Sequence, residues 1–404
     1  MLSKYLHKLM IDLQVKARQE IAHPSTLGVA VLSIILFAPL VNRLSALAND
    51  FLAHQNFAAK MLATHTLQTP HPLLQGSIIM LQQIFPISLA AACTVVVLIS
   101  IGATVGLIYK LLREYAVSEW AAARLSVALL LVAPFQLFFP IDKHLYFGYI
   151  GINVVHSPTM FLLKPLALLI FGFAVMSNAA VDRQFAKTLT ICALTTLLCA
   201  FAKPSFTIVI LPSLALLLAI PTFRREVSPT LILYGILLPS VLVLGFQYWF
   251  SYSAEQVLGT VQEKRNIILA PLAVMTNYSN WLIPKLFLSI LFPLAVFFCY
   301  ARQVLKSQRM VLAWILFAGG ASYTYLLAES GRHMIEGNFL WSGQIALWIL
   351  FVVSLEFLLR QQQSGGSGSL HNKQFTWCMR LFGLHVFAGV IFHLTEFSRV
   401  AKFW

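Results

Sequence analysis

Charge is what this sequence has least of. Only 10% of its 404 residues are charged, its acidic residues number 14, and 59% of the chain is hydrophobic. A soluble globular chain needs more polar surface than that, so lipid must be the solvent for most of the molecule. Its mean hydropathy of +0.80 agrees. Metal-protease HExxH, phosphate-loop and dinucleotide-binding patterns are also missing, which removes several common soluble chemistries. The five cysteines, Cys93, Cys192, Cys199, Cys299 and Cys378, lie in or beside apolar runs without metal-ligand spacing. They are expected to be inert buried thiols and say nothing about redox compartment. No soluble domain is expected either, because the longest polar interruptions are short, near 47–85, 253–280 and 361–374. The last contains Ser364-Gly365-Gly366-Ser367-Gly368-Ser369, a flexible tether by composition.

What the chain does have is repeated apolar runs. They predict an all-α, polytopic integral membrane bundle over residues 1–404, a single transmembrane domain. About eleven spans are expected, near 27–46, 86–109, 122–140, 158–177, 188–202, 205–222, 230–252, 281–301, 310–328, 339–359 and 376–395. The fifth and sixth are short enough for a broken or re-entrant pair. The formal net charge of +14 is explained by topology rather than by nucleic acid. With residues 1–26 as a basic cytoplasmic segment, the inner loops collect Lys4, Lys8, Lys110, Arg113, Arg224, Arg225, Arg302, Lys306, Arg309, Arg360 and Lys373, as the positive-inside rule requires. No cleavable signal peptide is evident, so the first helix is expected to stay as an anchor.

Ionisable residues on the outer side carry the functional signal, since a charge at membrane depth costs about 2.5–3.5 kcal/mol on insertion scales. Asn49-Asp50-Phe51 starts a segment with Phe51, His54, Ala58, Met61 and Leu62 at helical spacing, an amphipathic helix ending before Thr69-Pro70-His71-Pro72. Asp50 and His54, four apart, share a face: a carboxylate base with a polar neighbour, or an N-cap with an interfacial histidine. Asp142, Lys143, His144 and His156 flank the fourth span. Lys164-Pro165 lies within that span, and Lys203-Pro204 repeats the arrangement between the two short ones. Each lysine could hold a phosphate as a point charge or snorkel to headgroups. Glu329, Arg332, His333, Glu336, Asn338 and Trp341 form the densest outer cluster, where arginine offers a fork for phosphate and Trp341 a flat face for a sugar or an interfacial anchor. His385 and His393 are expected to be satisfied bundle histidines.

A first helix, an outer loop opening on an acidic residue and an amphipathic helix, and many further spans resemble the GT-C superfamily of polytopic membrane glycosyltransferases. The stretch Asp50-Phe51-Leu52-Ala53-His54 with Thr69-Pro70-His71-Pro72-Leu73 is similar to first-loop patterns of bacterial members. The likeness is specific over about 47–75, looser over 141–166 and architectural elsewhere. It implies a lipid-linked sugar donor, carried on polyprenyl phosphate, and inverting transfer to a glycan or lipid acceptor outside the bacterial cytoplasmic (inner) membrane. Asp50 would be the base, with His54 beside it. His71, Asp142, His144, His156, Lys164, Lys203, Glu329, Arg332, His333 and Trp341 are the candidate substrate-binding residues. Many members carry an adjacent acidic pair where Asn49 precedes the single Asp50 here. No cofactor is therefore assigned, and a divalent metal is disfavoured.

Two other functions compete. A polymerase or ligase of lipid-linked polysaccharide would use outer arginines, and Arg332 with Gly343 resembles a motif of such enzymes. A transporter or flippase of lipid-linked saccharides would need midplane charges and internal repeats, and no convincing repeat is present.

Overall fold

The computed structural model of the protein describes residues 24–47, 49–142, 148–176, 183–224, 227–252, 266–364 and 369–401. Among them the chain is almost wholly helical. The long elements in order are α1 (Thr26–Ser45), α2 (Asp50–Thr64), α3 (Leu73–Ile84), α4 (Leu89–Leu112), α5 (Glu119–Leu131), α6 (Pro158–Ala174), α7 (Arg183–Ala202) and α8 (Thr207–Leu218). A π-helical stretch, Leu231–Leu237, runs into α9 (Leu238–Tyr252) and is followed by α10 (Leu282–Cys299), α11 (Gln308–Leu326), α12 (Leu340–Ser364) and α13 (Ser369–Ala401). One small antiparallel ribbon pairs β1 (Ile267–Leu269) with β2 (Leu327–Glu329), Ile268 lying opposite Ala328.

Among the described residues, seven helices are long and apolar enough to cross a membrane: 26–45, 89–112, 185–202, 231–251, 282–299, 340–364 and 372–398. The protein is thus an all-α integral membrane protein. Of the other expected spans, α5, α6 and α8 are helices of 13, 17 and 12 residues, shorter than the roughly 20 that a bilayer core requires. α11 has 19 residues and is not among the seven.

Several boundaries differ from the sequence expectation. The helix expected over 122–140 breaks after Leu131 and resumes only as a short turn at Phe139, because Pro134 disfavours helix at the residue before it. The unwound backbone is satisfied by neighbours. Asn153 donates through Nδ2 to the carbonyls of Leu129 (3.1 Å) and Val132 (2.9 Å), and the Ala133 N–H donates to the His385 carbonyl (3.1 Å). His385 Nδ1 lies 2.7 Å from the Ala133 carbonyl, and His393 Nδ1 lies 2.7 Å from that of Gly389. Both histidines therefore meet backbone acceptors inside the bundle. The expected short span 188–202 lengthens into α7, while α8 stays short and contains Pro212. The tether expected over 361–374 contracts, since α12 continues to Ser364 and α13 begins at Ser369. The loop between α1 and α4 holds two helices where one was expected, α3 having been hidden in the apolar-polar mixture Leu73–Ile84.

α12 is the hub, with nearly every side chain from Ile345 to Leu359 buried. Its approach to α11 depends on Gly320, where a Cβ would lie 2.6 Å from the Ser342 carbonyl, and on Gly343, where a Cβ would strike Thr324. The two ends of the bundle are built differently. At one, helix ends are tied directly: Tyr109 donates to the Pro24 carbonyl (2.6 Å), Gln363 to that of Glu114 (3.2 Å) and Gln374 to that of Cys299 (3.2 Å). The Arg309–Glu356 ion pair, at 2.9 Å, is near this end. The other end carries α2, α3, the ribbon and a cavity.

Candidate functional site

The cavity has a volume of about 520 Å³ and takes its walls from one end of many helices. Asp50, His54 and Phe57 come from α2, His71 from the turn before α3, His156 from the approach to α6, and Lys203 from the α7–α8 turn. Tyr149, Tyr278, Glu336, Asn338, Trp341 and Gln344 complete the polar and aromatic lining. Local chemistry explains how Asp50 comes to face this space. Asn49 is the N-cap of α2: its side-chain oxygen accepts from the Phe51 N–H at 2.8 Å while its Nδ2 donates to the Leu44 carbonyl at 3.0 Å. Capping by Asn49 leaves the Asp50 carboxylate free of that duty. Phe51, Gln55 and Ala58 fasten the opposite face, with Gln55 donating to the Ser45 carbonyl at 2.8 Å.

Lys203 is held by aromatic and hydroxyl groups. Its Nζ lies 3.8 Å from the Trp341 ring centroid and 3.3 Å from both Ser157 Oγ and Thr159 Oγ1. A cation over indole is worth about 0.5–2 kcal/mol, so Trp341 acts as a seat for the amine. This changes the role expected for Trp341, because the face offered to a sugar is covered by Lys203. The edge of Trp341 meets His156, with ring centroids 5.6 Å apart. Burial pulls the Lys203 ammonium down from the usual lysine value to about 7, and the nearby Asp50 carboxylate acts in the opposite direction.

The imidazoles complete a buried polar group. Burial first, and the Lys203 charge second, lower His54 to about 4. His71 falls to about 3 for the same reasons, with His54 adding to the effect. Both are therefore neutral at neutral pH. The Gln75 amide nitrogen lies 2.6 Å from His54 Nδ1, and a neutral imidazole accepting there carries its proton on Nε2. The Nδ1 of His71 is buried without a hydrogen-bond partner among the described residues. The Asp50 carboxyl group, a lysine poised to charge and two neutral imidazoles thus share one space. That set can take a proton from a hydroxyl and hold an anion.

The remaining sequence candidates fall elsewhere. Lys164 is buried in α6, donates to Asn153 Oδ1, and sits 5.4 Å from the Trp348 ring, outside the cavity lining. Glu329, on β2, is buried and accepts from Asn338 Nδ2 at 2.7 Å, so it stands behind the wall residue Asn338. Asp142 ends the short helical turn Phe139–Asp142, and its side chain is not among those described. Lys143 and His144 lie outside the described residues, as do the side chains of Arg332 and His333 on the 3-10 turn Gly331–Glu336. Gln75, Tyr149, Tyr278 and Gln344 were not singled out from sequence. Gln75 carried a usable signal, a buried amide on the same face as Leu74 and Ile78 in an apolar helix, where Gln82 and Gln83 stand at the far end. Tyr149 is backed by the buried Lys285, whose Nζ is 4.6 Å from its ring centroid, and this loop turns at Gly148 with φ +83°. No group of three or more His, Cys, Asp or Glu placed to hold a metal ion is found among the described residues. In comparison with known proteins, the chain matches no family model and no curated protein.

Proposed function

We propose that the protein is a GT-C-like membrane glycosyltransferase that moves a sugar from a polyprenyl-phosphate carrier to a glycan or lipid acceptor. The single observation that carries this reading is the convergence of Asp50 and Lys203 on one cavity at one end of an apolar bundle. In the proposed step, Asp50 takes the proton of the acceptor hydroxyl as its oxygen attacks the anomeric carbon. The new glycosidic bond forms as the carbon–phosphate oxygen bond breaks, and the phosphate leaves with the electron pair. Attack from the side opposite the leaving group inverts the centre. Lys203, charged in the presence of phosphate, stabilises the negative charge that gathers on the leaving group. His71 offers a neutral imidazole to the same region. No metal is assigned to the step.

The topology proposed with it has about eleven crossings, the short α5, α6 and α8 being completed by unwound or tilted chain. Lys110, Arg113, Arg302, Lys306, Arg309, Arg360 and Lys373 lie at the end opposite the cavity, which supports placing that end in the cytoplasm of a bacterium and the cavity outside its inner membrane.

The polymerase reading loses its motif support, since Gly343 is accounted for by helix packing against Thr324. A saccharide transporter would need the charges to be reached from both sides. Purified protein offered a panel of polyprenyl-phosphate sugars should add one sugar per acceptor and release polyprenyl phosphate. Processive chain growth would favour the polymerase, and donor movement across vesicles without transfer would favour the transporter.

A further inference from the structure

His54 and His71 stand side by side in the cavity, ring centroids 6.3 Å apart, and differ in what holds them. His71 Nδ1 is buried without a hydrogen-bond partner among the described residues. His54 Nδ1 meets Gln75 Nε2 at 2.6 Å, and Gln75 is fully buried on α3 beside the equally buried Leu74 and Ile78. An amide nitrogen only donates, so the ring nitrogen facing it is bare and a neutral His54 keeps its proton on Nε2.

The orientation of the amide follows from its surroundings. Gln75 Oε1 is buried with no partner among the described residues. Turning the amide over would set that oxygen against His54 and leave both amide protons where it now lies, without an acceptor. A buried N–H with no acceptor is rarer than an under-satisfied oxygen, and the observed orientation spends a proton on Nδ1.

The other ring nitrogen meets open space. His54 Nε2 has no hydrogen-bond partner among the described residues, yet it is not buried as His71 Nδ1 is. The open space that His54 lines is the cavity, whereas Gln75 is absent from the lining and stands behind His54. Lys203, in the same lining, is near enough for its charge to act on His54. An N–H beside an ammonium adds a directed hydrogen bond to a point charge, which suits the oxygens of a phosphate ester. A bare Nε2 would set a lone pair against those oxygens instead. We infer that Gln75 is a positioning residue, which fixes His54 as an Nε2–H donor to the phosphate of the polyprenyl-phosphate sugar. This role takes its ligand from the transferase reading, while the tautomer follows from Gln75 and His54 alone.

The test is NMR of the full chain in detergent with histidine labelled at the ring nitrogens, the His54 signal being identified by its loss in His54→Ala. Near neutral pH the wild type should carry its proton on Nε2. Gln75→Glu, whose carboxylate accepts, should move a proton to Nδ1, and Gln75→Met, which cannot donate, should leave a mixture. Geranylgeranyl phosphate should move the wild-type Nε2–H proton signal downfield, and neither geranylgeraniol nor inorganic phosphate at the same concentration should do so. In transfer assays Gln75→Glu should lower kcat by about 10²-fold, and by nothing further once His54 is alanine. A wild-type proton on Nδ1, or an unchanged tautomer in both folded Gln75 variants, overturns the inference and leaves the transferase reading standing. An Nε2–H that geranylgeranyl phosphate does not move, or that geranylgeraniol or inorganic phosphate moves equally, also overturns it. If neither Gln75 variant folds, the wild-type tautomer and its response to geranylgeranyl phosphate decide. Both as expected, in a protein that transfers no sugar, would uphold the role of Gln75 and sink the transferase reading.

Discussion

Lys164-Pro165 and Lys203-Pro204 are the same dipeptide in similar apolar surroundings, and the fold uses them in opposite ways. Lys164 points into the bundle and donates a hydrogen bond to Asn153 Oδ1, while the Asn153 Nδ2 in turn holds the carbonyls of Leu129 and Val132 where α5 unwinds. It is a brace for broken backbone. Lys203 sits in a turn, seated on Trp341 and facing Asp50 across a cavity. The difference is the partner. A neutral amide supplied by the bundle satisfies Lys164, whereas Lys203 meets hydroxyls, an indole face and a carboxylate around open space.

Changing the partners should separate the two roles most sharply. Asp50→Asn should lower sugar transfer by about 10²–10⁴-fold while leaving the melting temperature in detergent almost unchanged. Asn153→Ala should do the reverse, lowering the melting temperature with transfer by the folded fraction kept within a few-fold. Changing the lysines themselves follows. Lys203→Gln should reduce turnover by about 10²–10³-fold, and Lys164→Gln should instead cost stability, about 1–2 kcal/mol for a hydrogen bond inside a bundle. Equal kinetic effects from both lysine variants would erase the distinction.

Acidity offers a finer probe. Lys203 is lowered to about 7, so it is charged below that value and neutral above it. Donor phosphate binding should weaken by up to roughly tenfold per pH unit above about 7, and Lys203→Arg should flatten that dependence. The histidines act on folding instead. With His54 lowered to about 4 and His71 to about 3, the unfolded chain binds protons first as pH falls below the ordinary histidine value of 6.5. The stability their neutral forms allow is present above pH 6.5 and lost as pH falls toward about 4 for His54 and about 3 for His71, a loss that His54→Gln and His71→Gln should lessen in acid melting. The smallest effect expected is from Trp341→Leu, about a tenfold loss of donor affinity through loss of the lysine's seat.

Much of the fold was legible in the sequence because lipid leaves so few options. Apolar runs gave the helical class, and α2 ends before Thr69-Pro70 as expected, though already at Thr64, where His65 turns the chain with φ +52°. What was not legible was how backbone polar groups are satisfied once a helix breaks. The end of α5 at Leu131 depends on Asn153 and His385, which are 22 and 254 residues away by position number, and no local pattern announces them. For the site, Asp50, His54, His71, His156, Lys203 and Trp341 are brought to one cavity, though their roles are proposals. The i,i+4 spacing signalled Asp50 and His54 because both lie on one helix. Lys164 could not be told from Lys203, since the distinction lies in Asn153, an unremarkable amide in an apolar stretch. Gln75 was passed over because its helix was read as loop.

The central claim is that the donor phosphate sits beside Lys203 in the cavity faced by Asp50. A photoreactive polyprenyl-phosphate sugar, irradiated with the full chain and mapped by peptide mass spectrometry, tests it most directly. The account predicts labelling in α2, in the α7–α8 turn and at the start of α12, competed by unlabelled donor and lost in Lys203→Gln. Competed labelling confined to the opposite end of the bundle, or unchanged by removal of Lys203, would contradict it.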